Sequence, residues 1–223
     1  IEVRGGDYQM LRNVSLFSDL PEDDLQVISN LAATRTYPKN TIIISEGDDS
    51  DSLYAILSGK VKVYLSDDDG REIIINILDA GQHFGELALL DDSPRSASVM
   101  TIEETKLAVI SKPAFEDCLT KNPVLALKII RELSTRLRSL TQNVKSLALM
   151  DVYGRVARTL LDMAEPTGDK LEIKQKLTQR DIASMVGASR EMVSRILKDL
   201  STGGYITIQN KTITINEKLP PGW

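Results

Sequence analysis

The sequence predicts an α+β chain: a β-rich N-terminal part closing as a barrel or jelly roll, then one long helix, then a C-terminal winged helix-turn-helix. Three observations predict it. Short β-rich segments recur between residues 34 and 111 with glycines between them, apolar residues repeat at spacings of 3 and 4 over residues 130–147, and residues 177–200 carry two helical patterns joined at a glycine. With 223 residues, 42% of them apolar, the chain is long enough for two modest domains.

An N-terminal helical stretch carries apolar Leu25, Ile28 and Leu31. The strands expected after it are 41–44 (TIII), 53–57 (LYAIL), 60–65 (KVKVYL), 72–78 (EIIINIL) and 106–110 (KLAVI). Gly47, Gly59, Gly70, Gly81 and Gly85 punctuate them, and Asp69-Gly70 is a strong hairpin signal. Many short strands at this spacing favour a closed barrel or jelly roll.

Asn122-Pro123 offers a capping side chain followed by proline, and helix-compatible sequence continues to about Leu149. Its apolar positions Ile130, Leu133, Leu137, Leu140, Val144 and Leu147 form an a/d seam. Such a seam packs either on the chain's own barrel or on the same helix of a second copy, and the uninterrupted heptad favours the second arrangement, a homodimer through helix 122–150. Asp151 is an N-cap for a new helix, Val152 to Met163, so the chain breaks between Leu149 and Val152 and gains a hinge. Residues 165–169 (EPTGD) read as a loop, KLEIK as a strand, and 205–215 as a hairpin around Asn210-Lys211.

Residues 177–200 have a helix from Thr178 to Val186, a turn in which Gly187 supplies the left-handed position, and a second helix capped by Ser189. Ile182, Ala183, Val186, Val193, Ile196 and Leu197 are its expected core. The outward face of the second helix begins Arg190, Glu191, Ser194, Arg195. Arginine bonds guanine at O6 and N7 and glutamate accepts from cytosine N4, so this face suits double-stranded DNA; the bland alternative is a solvated charged face. Thr178, Gln179, Ser189 and Lys211 are candidate phosphate contacts that also read as caps or surface. Charge agrees: residues 151–223 hold 11 Lys+Arg against 9 Asp+Glu, while residues 1–150 hold 16 against 23.

A second motif runs from 84 to 99, FGELALLDDSPRSASV. Gly85, Glu86 and Leu87 open a short helical turn whose N–H groups suit an anion, Arg95 adds a permanently charged fork, and Ser96 and Ala97 continue the loop. Glu86 cannot hold phosphate but accepts well from a ribose hydroxyl. An anion cradle beside a sugar acceptor fits a cyclic nucleotide, and the alternative is an Arg95–Glu86 ion pair in a ligand-free barrel.

The C-terminal segment, extending back through DVYGRVARTLLDMA, resembles the winged helix of the cAMP receptor (catabolite activator) branch of the Crp–Fnr superfamily, and the likeness covers nearly the whole chain. Gly-Glu-Leu with Pro94-Arg95-Ser96-Ala97 resembles the phosphate-binding cassette of cyclic-nucleotide domains. The resemblance implies a ligand-responsive transcription regulator with a cyclic-nucleotide-binding domain at 1–121, a dimerisation helix and hinge at 122–150, and a winged DNA-binding domain at 151–223. It implies cAMP as ligand, with cGMP or another cyclic nucleotide as alternatives, and bases read by Arg190, Glu191 and Arg195 in palindromic TGTGA-like half-sites. RNA polymerase is an implied partner; Asp67-Asp68-Asp69 is either a solvated hairpin tip or a contact to its σ subunit, and the loop after Met163 is shorter than the family's polymerase-contacting loop. The family's adenine-reading pair falls on Leu140 and Thr141, of which only Thr141 bears a hydroxyl. A regulator answering to another ligand or none, and a non-DNA signalling module, are the rival readings.

Composition excludes other chemistry. Cys118 and His83 are each alone, so an intrachain disulfide, a protease triad or a multi-histidine zinc site is not built within one chain, and neither an oxygen-sensing cluster nor a haem is supported. His83 reads as a turn residue, and Met150, Met163, Met185 and Met192 as core filling. No apolar run approaches the roughly 18 to 20 residues of a membrane span and the first residues given are not a basic-then-apolar signal, so no membrane partner and a cytoplasmic protein are expected; with no nucleophile-base pair or metal set visible, an enzyme is not.

Overall fold

The computed structural model describes every residue except 1–4, 50, 169, 176, 210, 211 and 221–223. It divides into two compact units, one of residues 1–65 with 75–136, the other of residues 66–74 with 137–223.

The first unit begins with α1 (Gly5–Arg12), a 3-10 turn (Ser15–Phe17) and α2 (Glu22–Leu31). Eight strands follow: β1 (Ala33–Tyr37), β2 (Ile42–Ile44), β3 (Ser52–Ser58), β4 (Lys60–Ser66), β5 (Glu72–Asp79), β6 (His83–Phe84), β7 (Ser98–Thr101) and β8 (Thr105–Ser111), with α3 (Leu87–Leu90) between β6 and β7. They form two four-stranded sheets, ordered β1-β8-β3-β6 and β2-β7-β4-β5, as a jelly roll does. Helices α4 (Lys112–Lys121) and α5 (Pro123–Leu149) follow.

Strand periodicity explains why LYAIL and KLAVI are apolar throughout. Leu53, Ala55 and Leu57 of β3 and Ala108 and Ile110 of β8 face a core shared with Leu11, Phe17, Leu25, Phe115 and Leu125 from the helices. Ile56 and Leu107, on the opposite face, join Ile44, Val61, Leu78, Phe84 and Val99 between the two sheets. A sheet covered on both faces needs no polar alternation.

Helix α5 carries two apolar stripes. Leu125 and Ile129 are buried in the core of the first unit and Leu133 packs against it, whereas Ile130, Leu137, Leu140, Val144 and Leu147 are exposed, Leu137 at 66%. The chain's own core takes the first stripe and Leu133 of the heptad seam, and the rest of the seam lies outside it. Of the apolar residues of α2, Leu25 and Ile28 are buried and Leu31 is exposed at the helix end.

In the second unit Asp151 caps α6 (Val152–Asp162), its Oδ1 accepting from Gly154 N at 2.7 Å. Residues 165–169, expected to be a loop, instead supply strand β9 (Glu165–Thr167), which pairs antiparallel with β10 (Lys170–Ile173). The neighbouring backbone donors of β10 outweigh the turn propensity of Pro166 and Gly168. With β11 (Ile206–Gln209) and β12 (Thr212–Ile215) they form a sheet ordered β11-β12-β10-β9; Asn210 and Lys211, the expected hairpin tip, lie outside the described residues.

Helices α7 (Gln179–Val186) and α8 (Arg190–Thr202) meet through Ile182, Ala183, Val186, Val193, Ile196 and Leu197, all buried as expected. Gly187 ends α7 at φ 61°, and the N–H groups of Gly187 and Ala188 both return to Ala183 O. Arg155 meets two carbonyls at this turn and one ahead of α6: Nε donates to Val186 O at 2.8 Å, Nη2 to Gly187 O at 3.4 Å, and Nη1 to Met150 O at 2.9 Å. A Cβ at Gly187 would meet Leu147 Cδ2 at 3.4 Å, besides carrying the left-handed penalty. Gly187→Ala is expected to lower the stability of the helix-turn-helix by about 1 to 2 kcal/mol, read from urea unfolding by far-ultraviolet circular dichroism.

Candidate functional site

The anion-binding candidate lies in the first unit where β6 turns into α3. Gly85 makes that turn at φ 87°, and a Cβ there would stand 2.6 Å from Arg95 Nη1. Arg95 is held by its backbone, N–H donating to Asp48 O at 2.9 Å and carbonyl accepting from Gly47 N at 2.8 Å. Its side chain, in a residue only 6% exposed, donates from Nη1 to Gly85 O at 2.9 Å and from Nη2 to Ser52 O at 2.7 Å. The guanidinium lies 5.8 Å from the centre of the Tyr54 ring, which stacks on Phe84.

No carboxylate among the described residues pairs with Arg95, and burial lowers its affinity for its proton. Its hydrogen bonds go to carbonyls and the acidic groups of Asp51, Glu86 and Asp48 act on it only from beyond ion-pair distance, so the guanidinium keeps N–H donors for an anion.

Glu86 does not pair with Arg95, which removes that alternative. It is 2% exposed, and its Oε1 accepts from Arg136 Nη1 on α5. Glu86 Oε2 is buried with no hydrogen-bond partner among the described residues. Burial pushes this carboxyl above its ordinary value, opposed by Arg136. An acceptor oxygen near a guanidinium that makes no direct carboxylate pair suits a ligand with a phosphate at one end and a hydroxyl at the other. Ser96 and Leu87 are exposed and Ala97 half-buried around this turn, while Thr141 belongs to the second unit, where it is exposed and donates its own hydroxyl to Leu137 O at 2.9 Å.

Sequence reasoning missed Arg136. Its signal was a polar stripe at i, i+4 and i+8 on α5. Lys128 Nζ reaches Ser18 Oγ and Asp19 Oδ2 at 2.7 and 2.6 Å, Glu132 Oε1 accepts from Ser15 Oγ at 3.0 Å, and Arg136 takes Glu86 and His83 O. His83 is not a turn residue: it sits in β6 opposite Ala55, 2% exposed. Its Nε2 stands 3.5 Å from Glu132 Oε2, yet burial and the Arg136 charge push the imidazole down to about 3, so a neutral ring faces the carboxylate.

In the second unit Arg190, Glu191 and Arg195 are exposed at the start of α8, with Ser194 half-buried. Ser189 caps α8, its Oγ accepting from Met192 N at 3.2 Å. Thr178 forms a capping box with Asp181, accepting from Asp181 N at 3.1 Å and donating to Asp181 Oδ2 at 2.7 Å, so its hydroxyl proton is engaged. Gln179 is half-buried, and Lys211 lies outside the described residues. A groove of about 400 Å³ lies between the starts of α7 and α8 and the β11–β12 hairpin, with Gln179, Arg180, Arg190 and Ile208 among its lining residues. Arg180 was overlooked in the sequence; its signal was a cation in the first turn of a helix, where the macrodipole disfavours it. The methionines are not core filling: Met150, Met163 and Met185 are half-buried and Met192 is exposed.

Among the described residues no cluster suits a metal ion, and no helix is long and apolar enough to cross a membrane. Residues 34–122 match the model of the cyclic nucleotide-binding domain, and residues 154–218 that of the Crp-like helix-turn-helix domain. The chain is 32% identical over 213 residues to a CRP-like cAMP-activated global transcriptional regulator of Mycobacterium tuberculosis, covering 94% of this chain and 95% of that one. It is 37% identical over 190 residues to the cAMP-activated global transcriptional regulator Vfr of Pseudomonas aeruginosa, covering 81% and 88%. Among solved structures, the c-di-GMP responsive global regulator CLP of Xanthomonas campestris superposes with a TM-score of 0.78 at 26% identity, over 88% of this chain and 100% of that one.

The buried imidazole has a measurable consequence. An unfolded histidine takes up a proton near pH 6.5, whereas His83 in the fold does so only at about 3. Between these values the unfolded state binds more protons, so stability is fully present above pH 6.5 and falls with pH by about 1.4 kcal/mol per unit. From pH 7 to pH 5 the protein should lose about 2 kcal/mol more than a His83→Phe variant, measured by urea unfolding. Glu86, shifted the opposite way, is common to both proteins and cancels. A difference that stays flat over this range would mean that water reaches the ring.

Proposed function

The chain belongs to the Crp–Fnr superfamily, a family of transcription regulators and not of enzymes, and from that premise we propose that cAMP binds at Arg95 and Glu86 and controls how a homodimer grips DNA. The observation that carries the ligand half is the meeting of two groups at the β6–α3 turn: a buried guanidinium hydrogen-bonded to carbonyls with no direct carboxylate pair, and a buried carboxylate oxygen without a donor. The cyclic phosphate takes the Arg95 fork with N–H groups of the Gly85-Glu86-Leu87 turn and the Ser96-Ala97 loop, and the ribose 2′-hydroxyl donates to Glu86. Arg136 orients Glu86 from α5 and joins the site residues read from the sequence.

Domain limits of 1–121, 122–150 and 151–223 organise the response. The exposed seam of α5 pairs with that of a second copy, Thr141 faces the base, and the break before Asp151 sets the spacing of two α8 helices about one DNA turn apart, roughly 34 Å. Coupling of about 1 to 3 kcal/mol between sites is sufficient for such control. Arg190, Glu191 and Arg195 read TGTGA-like half-sites, with Ser194 beside them. Gln179, Ser189, Lys211 and Arg180 meet phosphates, and Thr178 contributes through the α7 terminus it caps. RNA polymerase is the downstream partner, and the cytoplasm the compartment.

A second reading concerns the base. Leu140 is exposed, continues the seam and bonds no base, and the Xanthomonas campestris neighbour is titled as responding to c-di-GMP, so a different cyclic nucleotide is the alternative effector.

Isothermal calorimetry on the full chain tests the ligand half. cAMP should bind, with cGMP and c-di-GMP as comparison ligands, and Arg95→Ala should weaken binding at least tenfold, roughly the loss of a charge-assisted hydrogen bond. Absence of any heat with cAMP would sink the cAMP claim and leave the DNA claim standing. For the DNA half, Arg195→Ala should relax preference at one base pair per half-site at a cost of about 1 to 3 kcal/mol, measured by competition gel shift. An unchanged sequence preference would count against this docking of α8.

A further inference from the structure

The first turn of α8 holds, beside its charged residues, an apolar side chain that leaves much of its surface in solvent. Val193, Ile196, Leu197 and Leu200 anchor α8 at i, i+3, i+4 and i+7, and all are buried. Met192 falls outside that stripe and is 41% exposed. It shares the outer surface with Glu191 and, one turn on, Arg195. Its backbone is fixed, because Ser189 Oγ accepts its N–H where the helix begins.

A thioether makes only weak hydrogen bonds, so Met192 adds little to phosphate binding or to reading base donors and acceptors. It does present a flexible apolar surface that adapts to what it meets. In the major groove the apolar group on a base edge is the C5-methyl of thymine. We propose that Met192 is a specificity-determining residue that packs on a thymine methyl, an inference that rests on the reading of α8 as the DNA-contacting helix. Three residues of helix advance about 4.5 Å, against a rise of about 3.4 Å between base pairs, so this thymine lies on a pair neighbouring the one that Arg195 contacts.

The test needs an operator selected from a random DNA pool by the full chain with cAMP, followed by replacement of each thymine in one half-site with deoxyuridine, which removes the methyl alone. One thymine should stand out, its replacement weakening binding about fourfold, as loss of one buried methyl does. Met192→Ser should bind the two duplexes equally while keeping its preference at the pair read by Arg195, and Met192→Leu should retain most of the difference. A flat deoxyuridine scan with a well-defined operator, or a thymine preference that persists in Met192→Ser, overturns the assignment of Met192 alone. Failure of the pool to yield any preferred sequence overturns the reading of α8 itself, and this inference with it.

Discussion

The ion pair between Arg136 and Glu86 is the constraint on which the first unit's site depends. It joins α5 to the turn between β6 and α3, with a second bond from Arg136 Nη2 to His83 O at 3.2 Å. Glu86 is buried almost completely and Arg136 about two-thirds, so desolvation offsets much of the Coulomb attraction and the pair is a weak source of net stability. What it supplies is position. One carboxylate oxygen is held by the helix, and the other is buried with no hydrogen-bond partner among the described residues.

Helix α5 performs three tasks because 3.6 residues per turn give it distinct faces. Leu125, Ile129 and Leu133 attach it to the core of the first unit, Lys128, Glu132 and Arg136 reach polar groups of the N-terminal segment and the β6–α3 turn, and Leu137, Leu140, Val144 and Leu147 stay exposed. The stripes overlap along the first half of the helix and resolve beyond Arg136, after which the apolar seam has no partner in its own core. A heptad with such a seam is stable in water when another surface covers it, and the symmetric solution is a second α5.

How legible these features were depended on how local their causes are. The helix-turn-helix was readable because its determinants sit within a few residues of one another: the Thr178–Asp181 box, Gly187 and Ser189 each act on the next turn of backbone. The α+β layout and the core positions 182–197 followed from periodicity for the same reason. Strands β1 (ATRTY) and β7 (SVMT) escaped notice because they are polar or short and exist through their partners, β8 for one and β2 and β4 for the other. Strand β9 did so because its pairing with β10 overrides turn-forming residues. Within the candidate site, Arg95 and Glu86 were legible from a compact motif, but their partners were not: Arg136 meets Glu86 across 50 residues of chain, and Ser52 meets Arg95 across 43. Met192 was misread for a related reason, since residue type suggested the core whereas its angular position on α8 places it outside.

The same geometry indicates how a ligand at Glu86 would act at a distance. A buried acceptor without a donor costs about 1 to 3 kcal/mol, and a ribose hydroxyl that donates to Glu86 Oε2 removes that cost. The gain is realised only when Glu86 is turned as Arg136 holds it, so the ligand favours the placement of α5 in which that ion pair is made. Its size equals the coupling of about 1 to 3 kcal/mol that typically links two sites in a protein. Helix α5 continues without a break to Leu149, where Arg155 ties Met150 O to the carbonyls that end α7. On the proposed reading, what the ligand changes is how often one ion pair is formed.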